Sequence, residues 1–330
     1  MLRLTLAGVL ATATAIAVPA AAVQPAPAYA AQASTTAAAQ LAAISCSTAT
    51  GSSDFYDGPS ASKVYDAKFS SAPAIAQLST HTPQGAGTWF NWDGAGKHLL
   101  LVTSYRTGSR SLIIGINPST GKTVGIVAIA ASHVGGITVS NGWAFVSGTN
   151  SGSNGTIRKY RLSELRTAMK KAGTPYLKQV GSARVVYGSS FISSYGGYLW
   201  SGRFQEKTRG KMYQYKINAN GSLTTINRAW EIPTKTQGLL VAKNHFIFST
   251  SYGRSNRSNV YVVRRGQPDL DRARLKCFRA PSMSEGLTEF GGRAYLVFES
   301  GSHLYRSDSR TLNVIPRMHK TPLSALTSMV

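Results

Sequence analysis

The chain has 330 residues, with 36 Lys and Arg against 13 Asp and Glu, for a formal charge of +23. That balance favours anionic partners such as anionic polymers or head groups. The basic residues are spread along the chain without a compact arginine-rich arm, which argues against a sequence-specific nucleic-acid module. With only two cysteines, the chain is read as a disulfide-bearing exported protein rather than a cysteine-built metal or redox site.

The first 30 residues read as a signal peptide. Arg3 supplies the positive start, residues 4–18 are an unbroken apolar and small-residue run, and Ala28-Tyr29-Ala30 fits the small-x-small cleavage rule. The run is too short for a transmembrane helix and no second long apolar stretch follows. The mature protein is therefore expected to be soluble, secreted and extracellular. Its removal takes away only Arg3, leaving 35 basic against 13 acidic side chains, or +22. Residues 31–62 are rich in Ala, Ser and Thr and are read as a flexible tail.

From residue 63 onward one phrase recurs: a turn, a short apolar strand, then a small polar patch. Its turns are Ala95-Gly96, Asn141-Gly142, Gly196-Gly197, Lys243-Asn244 and Gly291-Gly292, with steps of 46, 55, 47 and 48 residues between their last members. A strand-rich unit at about 40–50 residues marks a β-propeller blade. The expected fold is all-β: one five-bladed propeller over residues 63–330. Lys63 to Phe69 is read as an added outer strand of the last blade or a separate clasp. Pro118 to Gly121, Asn154-Gly155 and Asn220-Gly221 are read as hairpin turns between later strands. Residues 163–173 form the one short helical insertion, with Ser163 as N-cap, Gly173 as stop, and Leu165 and Met169 on one face. A Cys46–Cys277 bond would tie the N-terminal segment to the last blade.

A propeller brings equivalent blade positions to one axis. The residues just before the inner strands are Gln84, His133, Ser190, Gln237 and Glu285, mostly followed at once or soon after by glycine. The loops after the second strands add Tyr105, Arg106, Arg203, Tyr252, Arg254 and Glu299 to the same mouth. Three arginines suit a carboxylate, sulfate or phosphate, and two tyrosines suit a sugar ring. Glu285 with His133 makes a candidate acid–base pair, and Glu285 with Glu299 a candidate carboxylate pair. Glu285, His133 and the Gln carbonyls could also hold an axial divalent cation, although no cofactor is required. No Gly-x-Ser-x-Gly, His-Glu-x-x-His, EF-hand or phosphate-loop motif occurs.

The phrases Ser132-His133-Val134-Gly135-Gly136-Ile137, Thr236-Gln237-Gly238, Ser251-Tyr252-Gly253-Arg254, Ser284-Glu285-Gly286 and Phe298-Glu299-Ser300-Gly301 resemble those of secreted propeller-like proteins of actinobacteria. The resemblance spans about residues 80–320. It implies export and the repeat fold, and no particular reaction. Five-bladed glycosidases of the invertase and arabinanase types need three inner-strand acids, where this chain offers Glu285, Glu299 and Asp93. Five-bladed lectins repeat one site per blade, whereas these mouth residues differ between blades. The reading is thus a monomeric binder of a small anionic or sugar-like ligand at one composite axial site. The alternatives are a hydrolase or lyase using Glu285 and His133, and a basic cell-envelope binder of anionic polymer with an inert axis.

Overall fold

The computed structural model describes Cys46, residues 61–151 and residues 154–330. The leader at 1–30 and nearly all of the 31–62 tail lie outside the described residues. The first element is not a strand. Lys63–Lys68 is a helix, α1, whose N-cap Ser62 accepts a hydrogen bond from the Tyr65 N–H at 3.1 Å. The outer-strand reading of residues 63–69 is thereby corrected: α1 is the clasp, with Tyr65 stacked on Phe69 at 4.3 Å, and Phe69 packed on Phe278. The strand comes directly after it, β1 at Ser70–Ala74.

Five four-stranded antiparallel sheets follow. Blade 1 is β2 (Thr82–Trp89), β3 (Leu99–Tyr105), β4 (Ser111–Ile116) and β5 (Thr123–Ile129). Blade 2 is β6 (Ile137–Ser140), β7 (Trp143–Ser151), β8 (Asn154–Arg161) and β9 (Arg184–Val186), with helix α2 (Leu162–Met169) after β8. Blade 3 is β10 (Phe191–Tyr195), β11 (Tyr198–Gly202), β12 (Gly210–Ile217) and β13 (Leu223–Ile232). Blade 4 is β14 (Thr236–Val241), β15 (His245–Thr250), β16 (Ser258–Arg264) and β17 (Leu275–Ala280). Blade 5 is β18 (Ser284–Phe290), β19 (Arg293–Phe298) and β20 (Arg317–Pro322), followed by helix α3 (Leu323–Thr327). The five-bladed propeller expected from the repeats is the fold observed.

Blade 5 takes its outer strand from β1, which pairs Ser70 with Lys320 and Ser71 with His319. Pairing the first strand with the last blade closes the ring and leaves no open sheet edge between them. The Cys46–Cys277 disulfide is present, but Cys277 belongs to β17. The bond therefore ties the N-terminal segment to blade 4 and not to the last blade.

Two local expectations also need correction. Asn154-Gly155 is inside β8, where Gly155 pairs with Asn150 and Asn154 with Ser151, so it is not the hairpin turn. Its glycine answers crowding: a Cβ there would lie 2.4 Å from the Ser189 N. Helix α2 begins one residue before Ser163, with Arg161 at the N-cap and Lys170 at the C-cap, so neither Ser163 nor Gly173 bounds it. Leu165, Ala168 and Met169 are buried in a cluster with Trp89, Leu99 and Val127, which makes α2 a packed decoration of blade 1. Among the described residues no helix is long and apolar enough to cross a membrane.

Candidate functional site at the axial mouth

Three inner strands carry a register break at the residues singled out from the sequence. Pairing skips from Pro83 to Ala86 in β2, from Thr236 to Gly238 in β14 and from Ser284 to Leu287 in β18. Gln84, Gln237 and Glu285 are the residues inside those breaks. Bulges re-aim side chains and cluster beside functional sites. The backbone enters β14 through Lys235 (φ 63°) and β18 through Met283 (φ 61°), and approaches β6 through Val134 (φ 48°), all left-handed residues that are not glycine. For a β-branched valine this is a strained conformation held by its surroundings.

Glycine sets how closely the strands crowd the axis. An added Cβ on Gly286 would sit 2.4 Å from the Ala86 N, on Gly238 2.2 Å from the Glu285 O, on Gly135 2.0 Å from the Ser190 O, and on Gly85 2.6 Å from the Gly136 Cα. Neighbouring inner strands thus touch backbone to backbone. Blades 3 and 4 meet through the Val241 N–H, which donates to Ser193 Oγ at 3.2 Å.

The mouth holds two carboxyl groups from blade 5. Glu285 is 1% exposed. Burial holds its carboxyl well above the usual carboxylate range, with the Glu299 charge adding to the effect; Ser251 Oγ donates to its Oε1 at 3.5 Å. Glu299 is pushed up to about 7 by burial, opposed by the amide of Gln84 and the charge of Arg254. Gln84, from blade 1, is itself buried and donates from Nε2 to Glu299 Oε2 at 2.9 Å.

Aromatic groups surround the pair. Tyr105 and Tyr305 lie close enough to perturb one another; burial, then the charge of Glu299, raises the pKa of each. The Tyr105 ring lies 4.3 Å from that of His133. His133 is open to water at the lip, yet protein crowds it enough that desolvation lowers its pKa. Both follow for a ring wedged by one face against Tyr105. Arg254 lies 4.9 Å over the Tyr305 ring and is ion-paired to Asp308. Asp308 is held well below the carboxylate range, first by Arg310 and then by Arg254.

The sequence-derived residues therefore divide. Gln84, Tyr105, Arg254, Glu285 and Glu299 meet, with His133 joined through Tyr105. Glu285 finds its electrostatic partner in Glu299, and no interaction with His133 is seen. Gln237 lies in the bulge of β14 and is half-buried. Ser190 faces its own blade, its Oγ accepting from the Phe204 N–H at 2.9 Å. Tyr252 is exposed, 6.1 Å from Phe204 and 5.3 Å below Lys235. Arg106 is exposed, near enough to His81 for its charge to be felt there. Arg203 lines a separate cleft of about 270 Å³ with Tyr187, Lys211 and Tyr213. Asp93 lies in the β2–β3 hairpin at the opposite end of the blade, where its carboxylate accepts from Ala95 and Lys97 N–H groups. Among the described residues no three His, Cys, Asp or Glu side chains gather as a metal site.

Tyr305 and Asp308 were missed from the sequence, and Ser251, in a phrase the sequence singled out, was given no role there. Tyr305 and Asp308 lie in the long 299–316 connection between β19 and β20, whose length was the available signal.

No family model matches the chain, and no curated protein does. Solved structures do resemble it in fold. They include a hydrazine synthase of Kuenenia stuttgartiensis (11% identity, TM-score 0.33, covering 75% of this chain and 89% of that one). A nidogen/laminin complex matches at 13% identity and TM-score 0.37 over 66% of this chain and 72% of that one. A GH43_1 enzyme from Xanthomonas citri matches at 10% identity and TM-score 0.44 over 79% of this chain and 92% of that one. At these identities and scores they carry no argument about the site.

Proposed function

We propose that the chain is an exported propeller that binds a neutral, hydroxyl-rich, sugar-like ligand at its axial mouth. The observation that carries this reading is the juxtaposition of Glu285 and Glu299 with Gln84 and the Tyr105–Tyr305 pair. With both carboxyls raised, the mouth offers hydroxyl donors, carbonyl acceptors and an amide with little fixed charge. Tyr105 and His133 add ring faces against which a sugar can pack. An anionic ligand is disfavoured: Arg254 is engaged by Asp308 and Arg203 opens to another cleft, so neither offsets two carboxyls. Calorimetric titration with neutral mono- and oligosaccharides, uronates and sulfated sugars at pH 6 tests it. Neutral sugars should bind saturably, and Tyr305→Ala and Glu299→Gln should weaken them. Binding confined to polyanions, salt-sensitive and indifferent to both variants, would overturn it in favour of a basic envelope binder.

One observation favours a second reading. A carboxyl at about 7 beside a second carboxyl suits general acid–base hydrolysis near neutral pH. In that reading Glu299 moves the proton and Glu285 assists, in place of the Glu285–His133 pairing. Turnover of a glycoside or ester that Glu299→Gln abolishes, with ligand binding retained, would establish it.

A further inference from the structure

One well-formed cleft in the described structure is not at the axis. It lies in the seam between blades 2 and 3, with a volume of about 520 Å³. Its origin is a mismatch in strand length. Blade 3 ends in β13, ten residues long, while blade 2 ends in β9, only three residues long. β9 pairs with Gly155, Thr156 and Ile157 of β8 and then stops; beyond it the outer side of β8 is met by an irregular segment, the Val180 N–H donating to Lys159 O at 2.9 Å. The gap opens over the apolar seam between the blades.

The floor of this cleft is Phe145, Ile157 and Leu223, all from one buried cluster. Lys159 and Arg184 line the walls with hydroxyl residues, and no acidic side chain lines it. Lys159 is pre-positioned: its ammonium lies 4.6 Å from the Trp143 ring and donates to Asn220 O at 2.8 Å. That carbonyl takes one of its three N–H groups. Arg184 is exposed, and a guanidinium suits carboxylate, sulfonate or phosphate. A volume of this size is in the range of small-molecule sites, which pair an apolar lining with a few convergent polar groups.

We infer that the blade 2–blade 3 seam is a binding site for an amphipathic anion, its flat apolar body on Phe145, Ile157 and Leu223 and its acidic head between Lys159 and Arg184. The site is independent of the axial mouth and opens on a different part of the molecule.

Two fluorescent probes test this on the full chain. Anilinonaphthalene sulfonate carries the body and the anionic head; phenylnaphthylamine carries the same rings without the head. The sulfonate should bind saturably at one site per chain. Arg184→Glu should weaken it by at least about tenfold and change phenylnaphthylamine by less than about twofold. Thr225→Trp, on the cleft wall, should abolish both. Circular dichroism and melting temperature check that each variant folds, and Ser182→Trp replaces Thr225→Trp if that variant does not. The inference is overturned if the folded blocking variant binds both probes as the parent does, if Arg184→Glu leaves sulfonate binding unchanged or weakens both probes alike, or if no saturable binding is found.

Discussion

Replacing Glu299 by Gln should change stability in a pH-dependent way whose sign follows from the burial. A carboxyl with an ordinary value of 4.5 stands at about 7 in the folded chain. Between those values the folded state holds a proton that the unfolded state has released, so stability falls as pH rises. The contribution is fully present below 4.5 and is lost as pH climbs through about 7. At 1.36 kcal/mol per pH unit, the burial of Glu299 disfavours folding by about 3 kcal/mol at pH 8 and by less than about 1 kcal/mol at pH 5. Gln is nearly isosteric and keeps an oxygen to accept the Gln84 amide hydrogen. The variant should therefore gain on the parent by about 2–3 kcal/mol between pH 5 and pH 8, or roughly 5–10 °C in melting temperature. Urea unfolding of both proteins at the two pH values measures this. A stability difference that is the same at pH 5 and pH 8, or that shrinks as pH rises, would refute a raised Glu299 and with it the low-charge mouth.

Three further outcomes are expected. Arg158 is buried and donates to Ala130 O at 2.6 Å, Ala131 O at 3.1 Å and Ser132 Oγ at 3.1 Å; Arg158→Ala should cost about 2–4 kcal/mol in thermal or urea unfolding, and should speed amide exchange over residues 130–135 just before and around His133. Replacing both cysteines by Ala opens a link of sequence separation 231, for which chain entropy sets an upper bound of roughly 5 kcal/mol; the melting temperature should fall while circular dichroism is unchanged, because β1 still closes blade 5. Gly286→Ala places a Cβ 2.4 Å from the Ala86 N and should cost about 3 kcal/mol or more, or prevent folding, whereas Gly142→Ala, with nothing within 4 Å but φ +81°, should cost about 1–2 kcal/mol; paired melts separate axial crowding from turn geometry.

Blade number was legible because turn glycines and apolar strands recur in phase, two signals with separate physical causes. Ring closure was not. β1 reads SSAPA, with small residues and a proline, so its pairing with β20 leaves no apolar alternation to detect. Asn154-Gly155 misled for a related reason: a glycine that relieves crowding and a glycine that makes a turn look the same in one sequence. The axial column was legible because a polar residue beside glycine marked the bulges of β2, β14 and β18. What that column could not show is pairing. Whether Arg254 is a rim cation or a partner of Asp308 depends on the 299–316 connection, which has no counterpart in the other blades to align with.

The acid pair is better understood against the charge of the whole chain. Cations outnumber acids by 36 to 13. Asp93, Glu164, Glu231, Asp269, Asp271 and Asp308 each stand within ion-pair distance of a Lys or Arg. Glu285 and Glu299 do not: they receive a hydroxyl and an amide, face each other, and feel Arg254 only beyond ion-pair distance, its guanidinium being paired to Asp308. A cation placed beside either would lower its pKa and relieve the burial cost, and the chain has cations in abundance. Keeping both carboxyls without one costs stability above neutral pH and maintains a protonated, hydrogen-bonding mouth. Perturbed carboxyls held at such a cost are a mark of sites built for ligand or proton transfer rather than for the fold. A ligand whose oxygens accept from the protonated carboxyls binds the mouth in its proton-holding form, so its binding should tighten as pH falls from 8 to 6.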